Sequence, residues 1–221
     1  ELVALIRALT VDSASQLGQV RLVDALAGLL LNAGAADEVI GLVEPLEKST
    51  GNLRHLSVAY REVGRWHELA STIEARLELS QDADEIDLRL ELADIYASQL
   101  NEGHRALANW SLILDKEPKN LESIEGLLFL AERAPLRRTA YRTLRVAARV
   151  RGDWYALREH YRREYDGTAS DESHRGALAL ELAELLLREF NGEDDPAGLL
   201  DDAIRVCERT SEHCRRIVLA L

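Results

Sequence analysis

Residues 92–118 read LADIYASQLNEGHRALANWSLILDKEP. Leu92, Ala93 and Tyr96 fall on one side of a 3.6-residue period, and Ala106, Trp110, Ile113 and Leu114 do so again beyond the polar break Asn101-Glu102-Gly103. Two such stripes on either side of a short turn predict two amphipathic helices packed as a hairpin. The small Ala93 and Ala106 allow the backbones to approach, and Tyr96 and Trp110 fill the space beside them. Pro118 closes the second helix, because its ring clashes with a continuing helical turn and it has no N–H to donate.

The same grammar recurs along the chain. VGRWHEL at 63–69 returns as RGDWYAL at 151–157, 88 residues on, and LELADIY at 90–96 returns as LELAELL at 180–186, 90 residues on. Two hairpin types therefore alternate, one turning on glycine before a Trp and one built on Leu-Ala with a longer turn. The order large, small, aromatic, small, aromatic and then proline resembles the tetratricopeptide repeat (TPR), with one extra residue in the turn of the central hairpin. The alternation resembles segments of large bacterial TPR arrays. This resemblance implies an all-α, right-handed superhelical solenoid of antiparallel helix hairpins, about six hairpins or 12–13 helices in one array over 1–221. Repeats are expected near 17–50, 51–84, 85–120, an irregular 121–170, 171–211 and the start of another at 212–221.

Composition agrees with that class and narrows the functions. Aromatic residues are 5% and Pro numbers 4, whereas hydrophobic residues make up 47% of the chain, which suits helices packed through Leu and Ala. Net charge is −12, so a phosphate-binding face is not expected and nucleic acid is excluded as a partner. No apolar run approaches the roughly twenty residues needed to span a bilayer. The two cysteines fit a reducing compartment, which favours a cytoplasmic setting. The chain lacks methionine and opens in an apolar-periodic run, which predicts a fragment of a longer array.

Taken in order, 2–9 is expected to be the second helix of an upstream repeat. Helices follow at 16–32 and 37–48, with Pro45 expected to kink or end the second early. Leu53, Leu56, Ser57 and Tyr60 mark the next helix, and Leu69, Ile73 and Leu77 its partner beyond Gly64-Arg65-Trp66. After the central hairpin come 121–133, 137–150, a helix with Leu157, Tyr161 and Tyr165, and 172–190. A loop at 191–198 precedes a helix that Asp195 and Pro196 are suited to start. Between Pro118 and Trp154 two helices stand where simple alternation requires one, so a change in superhelix direction is expected near Ala134-Pro135.

Candidate site residues follow from the period. First helices of such repeats line a common groove, and the positions directed into it are Arg54 and Arg61, then Arg142 and Arg149, each pair seven apart. The Leu-Ala repeats contribute Asp87, Asp94, Glu184 and Arg188. Two readings stand: a charged groove whose arginines take the carboxylates of an extended peptide, or a ladder in which arginines of one repeat pair with acids of the next. Exposed pairs of that kind are worth roughly 0–1 kcal/mol. The pattern differs from the lysine-asparagine clamp of chaperone-binding TPRs. Trp66, Trp110 and Trp154 are expected in the core.

Catalytic and metal motifs are not found. There is no glycine-rich phosphate loop, nucleophile elbow or paired-histidine metal helix. Cys207, His213 and Cys214 form one small cluster with ligand chemistry, too few for a structural zinc, and the two cysteines are poorly placed for a disulfide. The expected function is a non-catalytic protein–protein interaction scaffold that binds a protein or peptide partner, with no cofactor. The alternative is the regulatory or substrate-recruiting segment of a larger enzyme. A third possibility is an architectural spacer whose groove charges are neutralised between repeats.

Overall fold

The computed structural model describes residues 16–79, 84–133, 135–168, 172–190, 198–201 and 204–205. The chain divides into two compact units, Glu1–Asn109 and Trp110–Leu221. Among the described residues there are ten α-helices of defined bounds and one π-helical turn, and no strand. The helix expected at 2–9, the loop at 191–197 and the cluster Cys207, His213 and Cys214 lie outside the described residues, as does Ala134.

The first unit opens with α1 (Gln16–Asn32), α2 (Ala36–Val43), α3 (Thr50–Glu62) and α4 (Trp66–Leu79). It continues through α5 (Glu85–Asp94) and the π turn Ile95–Gln99 into α6 (Gly103–Lys116), inside which the division falls. Each of α1 to α4 packs on its successor, and α1 also packs on α3. Neighbour-on-neighbour packing through short connections, with the first helix of one pair touching the first helix of the next, is the arrangement of stacked antiparallel hairpins.

Glycine shapes the turns at 64 and 152. Gly64 and Gly152 have φ of 72° and 67°. Each lets the following N–H reach back five residues, Arg65 to the Tyr60 carbonyl at 2.9 Å and Asp153 to that of Ala148 at 3.0 Å. This left-handed closure satisfies carbonyls that a helix end leaves without partners. Asp153 then caps the next helix, its side chain accepting from the Ala156 N–H at 3.0 Å.

The central hairpin solves the same problem without glycine. Its extra residue is taken up by the π turn, in which the Leu100 N–H bonds the Ile95 carbonyl at 3.0 Å and the Glu102 N–H bonds that of Tyr96 at 2.7 Å. A wider turn absorbs one residue while Tyr96 stays 1% exposed, and Asn101 makes the reversal at φ 54°. The extra residue thus resides in the end of the first helix, not only in the turn. The helix expected over 37–48 is also shorter than its pattern. It stops at Val43, because Pro45 cannot donate the next helical bond.

The second unit runs from the end of α6 through α7 (Leu121–Ala131), α8 (Arg137–Arg151), α9 (Trp154–Gly167) and α10 (Glu172–Glu189). Each of α7 to α9 packs on its successor. Two helices, α7 and α8, do lie between Pro118 and Trp154. Trp110 is 3% exposed and lies over Gly126, where an added Cβ would come within 2.4 Å of the indole ring. The core beneath α9 and α10 joins Ala148, Leu157, Tyr161, Leu178, Leu182 and Phe190.

His160 is the odd member of this interior. It is buried on α9 with its ring centroid 6.2 Å from that of Tyr141, and its Nδ1 has no hydrogen-bond partner among the described residues. Burial first, then the positive charges of Arg151 and Arg163, pulls its pKa down from 6.5 to about 4. Below pH 6.5 the unfolded chain binds a proton that the folded chain refuses, so stability falls as pH falls from 6.5 toward 4. Urea unfolding should therefore show His160→Leu retaining about 2–3 kcal/mol of the stability that the parent chain loses between pH 7 and pH 4.5. Parallel losses in both chains would place the acid sensitivity elsewhere.

Candidate functional site

One cleft in the second unit contains half of the residues picked out from sequence. Arg142, Arg149, Glu184 and Arg188 all line a cleft of about 650 Å³ formed by α8, the start of α9 and α10. The seven-residue spacing brings Arg142 and Arg149 onto one face of α8, and the four-residue spacing does the same for Glu184 and Arg188 on α10. Among the described residues, Arg142 and Arg188 make no hydrogen bond or ion pair, and both side chains are exposed.

The floor of the cleft is a connected polar network. Tyr161 donates its hydroxyl hydrogen to Glu181 at 2.7 Å and accepts from Arg149 at 3.3 Å. Burial, the hydrogen bond to Glu181 and that carboxylate's charge push the Tyr161 phenol up to about 12. It therefore remains a donor throughout the ordinary pH range. The Arg145 guanidinium lies 4.6 Å from the centre of the Tyr161 ring and bonds Glu164, whose side chain is completely buried. His174 Nε2 holds the other oxygen of Glu164 at 2.7 Å. Burial pulls the Arg145 pKa below its usual range, yet a guanidinium there stays charged. One carboxylate thus ties α8, α9 and α10 together.

In the first unit the other four residues take different surroundings. Arg54, Asp87 and Asp94 are exposed. Arg61 on α3 pairs with Glu91 on α5, which is the ladder arrangement, an arginine of one hairpin meeting an acid of the next. The 88- and 90-residue offsets make Arg149 and Glu181 the counterparts of this pair. Ile73, fully buried, stands where Tyr161 stands in the second unit, so no hydroxyl intervenes between Arg61 and Glu91.

Residues that the sequence reading missed are Arg145, Tyr161, Glu164 and Glu181. The internal comparison carries the signal for two of them. Positions 57 and 76 hold Ser and Arg, whereas 145 and 164 hold Arg and Glu. In the first unit Arg76 reaches across to the Ser57 hydroxyl at 3.3 Å. In the second the arginine comes from the first helix instead and meets a buried carboxylate. The core assignment of the tryptophans holds for Trp110, whereas Trp66 is half-buried and Trp154 is 36% exposed at the lip of the cleft. Trp154 occupies the first turn of α9, ahead of the packed stripe Leu157 and Tyr161, and so extends past the core.

Among the described residues no group of His, Cys, Asp and Glu is arranged to hold a metal, and no helix is long and apolar enough to cross a membrane. Fold and site together define a helical-hairpin repeat of the TPR-like class with a charged cleft. No protein-family model matches the sequence, and no curated protein does. Similar solved structures include BtubC (BKLC) from P. vanneervenii, 20% identical, with a TM-score of 0.32 over 99% of this chain and 87% of that one. The C-terminal part of a TPR repeat-containing protein from Cytophaga hutchinsonii is 12% identical, with a TM-score of 0.39 over 89% and 82% of the two chains. Nearly identical TPR-like repeats from Podosopora anserina are 16% identical, with a TM-score of 0.35 over 88% and 97%.

The buried carboxylate sets a test of what holds the cleft together. Glu164→Ala should cost about 3–5 kcal/mol in urea unfolding, since it leaves a buried guanidinium without its counter-charge. Arg145→Met with Glu164→Met should recover much of that loss. A single-variant cost under about 1 kcal/mol would mean that water takes over the role of Glu164.

Proposed function

We propose that this chain is a non-catalytic protein-interaction scaffold whose α8–α10 cleft receives an extended segment of a partner protein. The observation that supports it most is the pair of exposed arginines, Arg142 and Arg188, which have no partner among the described residues and stand on the two walls of a cleft whose floor holds a connected polar network. Arg149 adds a third guanidinium, held in place by Tyr161. Carboxylates of a partner peptide fit these groups, because guanidinium–carboxylate pairs are directional and charge-assisted. Trp154, Val146 and Leu185 give apolar surface along the same cleft for its aliphatic side chains. Glu184 and Glu189 limit the number of acids the partner can carry, which gives selectivity more than affinity. Arg54, Arg61, Asp87 and Asp94 offer a similar mixed-charge surface on the first unit, with Arg61 already engaged by Glu91.

Short fluorescein-labelled peptides that alternate leucine with glutamate, lysine or serine test this reading by anisotropy. The leucine-glutamate peptide should bind in low salt and weaken in high salt. Arg142→Glu with Arg188→Glu should weaken it at least about tenfold, which corresponds to about 1.4 kcal/mol, with the helical circular dichroism unchanged. Equal binding by the parent and this double variant removes the cleft from the proposal and favours a spacer.

A further inference from the structure

The second cleft, about 360 Å³ in the first unit, has an origin that can be read from one residue. Helix α2 has 8 residues where α4, alongside it in the stack, has 14. Its last helical hydrogen bond runs from the Glu44 N–H to the Ile40 carbonyl at 2.9 Å. Pro45 has no hydrogen to give, and Leu46 N–H turns back to Val43 at 3.0 Å, after which the chain leaves for the Ser49 cap of α3. The chain beyond Val43 therefore does not continue α2, and a trough lies between residues 43–48, α3 and residues 67–75 of α4.

The trough is apolar below and acidic at its edge. Leu53, Leu56 and Tyr60 of α3 are buried beneath it, and Leu46 stands 40% exposed at its mouth. Glu44, Glu47 and Glu68 line the same opening, against Lys48 and His67. Glu44 is fixed there by the Tyr60 hydroxyl, which donates to it at 3.0 Å. Burial, the hydrogen bond to Glu44 and the charges of Glu44 and Glu68 raise the Tyr60 phenol to about 12.

We infer that the trough left by the early end of α2 is a second docking surface, and that it takes a basic amphipathic segment of a partner protein, aliphatic side chains inward and Lys or Arg at the rim. The argument for this occupant is charge complementarity around an apolar floor, and the volume lies within the roughly 300–1,000 Å³ of ordinary binding clefts. Apolar anchors set in a groove with charges at the edge are how amphipathic segments dock on helical proteins. The chemistry is the reverse of that proposed for the α8–α10 cleft, so the two surfaces select different segments and either can stand without the other.

The leucine-lysine peptide is the probe, read by anisotropy with the leucine-serine peptide as reference. Glu47→Lys with Glu68→Lys should weaken binding of the leucine-lysine peptide at least tenfold. Ser71→Trp, an exposed position lining the trough, should block it to a similar degree by filling the space while leaving the charge alone. Glu122→Lys with Glu125→Lys, two exposed acids of α7, makes the same charge change elsewhere and should leave binding within about twofold. Circular dichroism checks that each variant folds, and Ser71→Trp carries the test if the double substitution does not. Equal losses from the trough and α7 pairs would mean diffuse attraction to an acidic protein and would overturn the inference, as would full binding by Ser71→Trp. Sedimentation of the free protein covers the remaining occupant: a dimer dissolved by Ser71→Trp would assign the trough to a second copy instead. Loss of leucine-glutamate binding in the Arg142 and Arg188 variant bears on the other cleft alone, so the two readings fail separately.

Discussion

Helices of 8 to 18 residues bury too little surface to persist alone, so each must lie close against its neighbours. Alanine is what permits it. Ala27, Ala59, Ala93, Ala106, Ala140, Ala148, Ala179 and Ala183 are all fully buried, and they recur in helix after helix through both units. Where an alanine lets two backbones approach, a large side chain fills the adjoining gap, as Tyr96 does beside Ala93. Gly126 takes the same device to its limit beneath Trp110. Close packing of this kind leaves little tolerance for added volume, and it fixes where the remaining side chains must emerge.

On that common frame the two units carry different electrostatics. At one equivalent pair of positions the first unit sets Arg76 against a serine and the second sets Arg145 against Glu164. At another, Arg61 meets Glu91 directly, whereas Arg149 reaches Glu181 only through the Tyr161 hydroxyl. A single substitution of Ile by Tyr in the core thus changes what happens at the surface. The hydroxyl satisfies an acid and an arginine together, while Arg142 and Arg188 at the cleft walls meet no partner among the described residues.

The ends of helices decide where clefts form. A left-handed glycine at Gly64 or Gly152 closes a hairpin with nothing left over. Pro45 stops α2 short and opens a trough, and an inserted residue becomes a π turn at 95–99. The trough beside Pro45 thus adjoins a departure from the repeat, whereas the α8–α10 cleft flanks the regular Gly152 turn and takes its character from its side chains.

The sequence alone determined the helices and their pairing. Periodic apolar positions, glycine turns, Pro45 and the 88- and 90-residue offsets are local or internally repeated signals, and packing had no reason to override them. It also determined which charged positions share a helix face, hence Arg142 with Arg149 and Glu184 with Arg188. Only the tertiary structure decided which of those charges are spent. Whether an arginine meets a carboxylate, a phenol or open solvent depends on the side chain that a neighbouring helix presents within a few ångströms. No period within one helix encodes that distance. For the same reason Trp110 and Trp154 follow similar local patterns yet part company, one pressed onto Gly126 in mid-helix and the other left at the lip of a cleft by its place in a first turn.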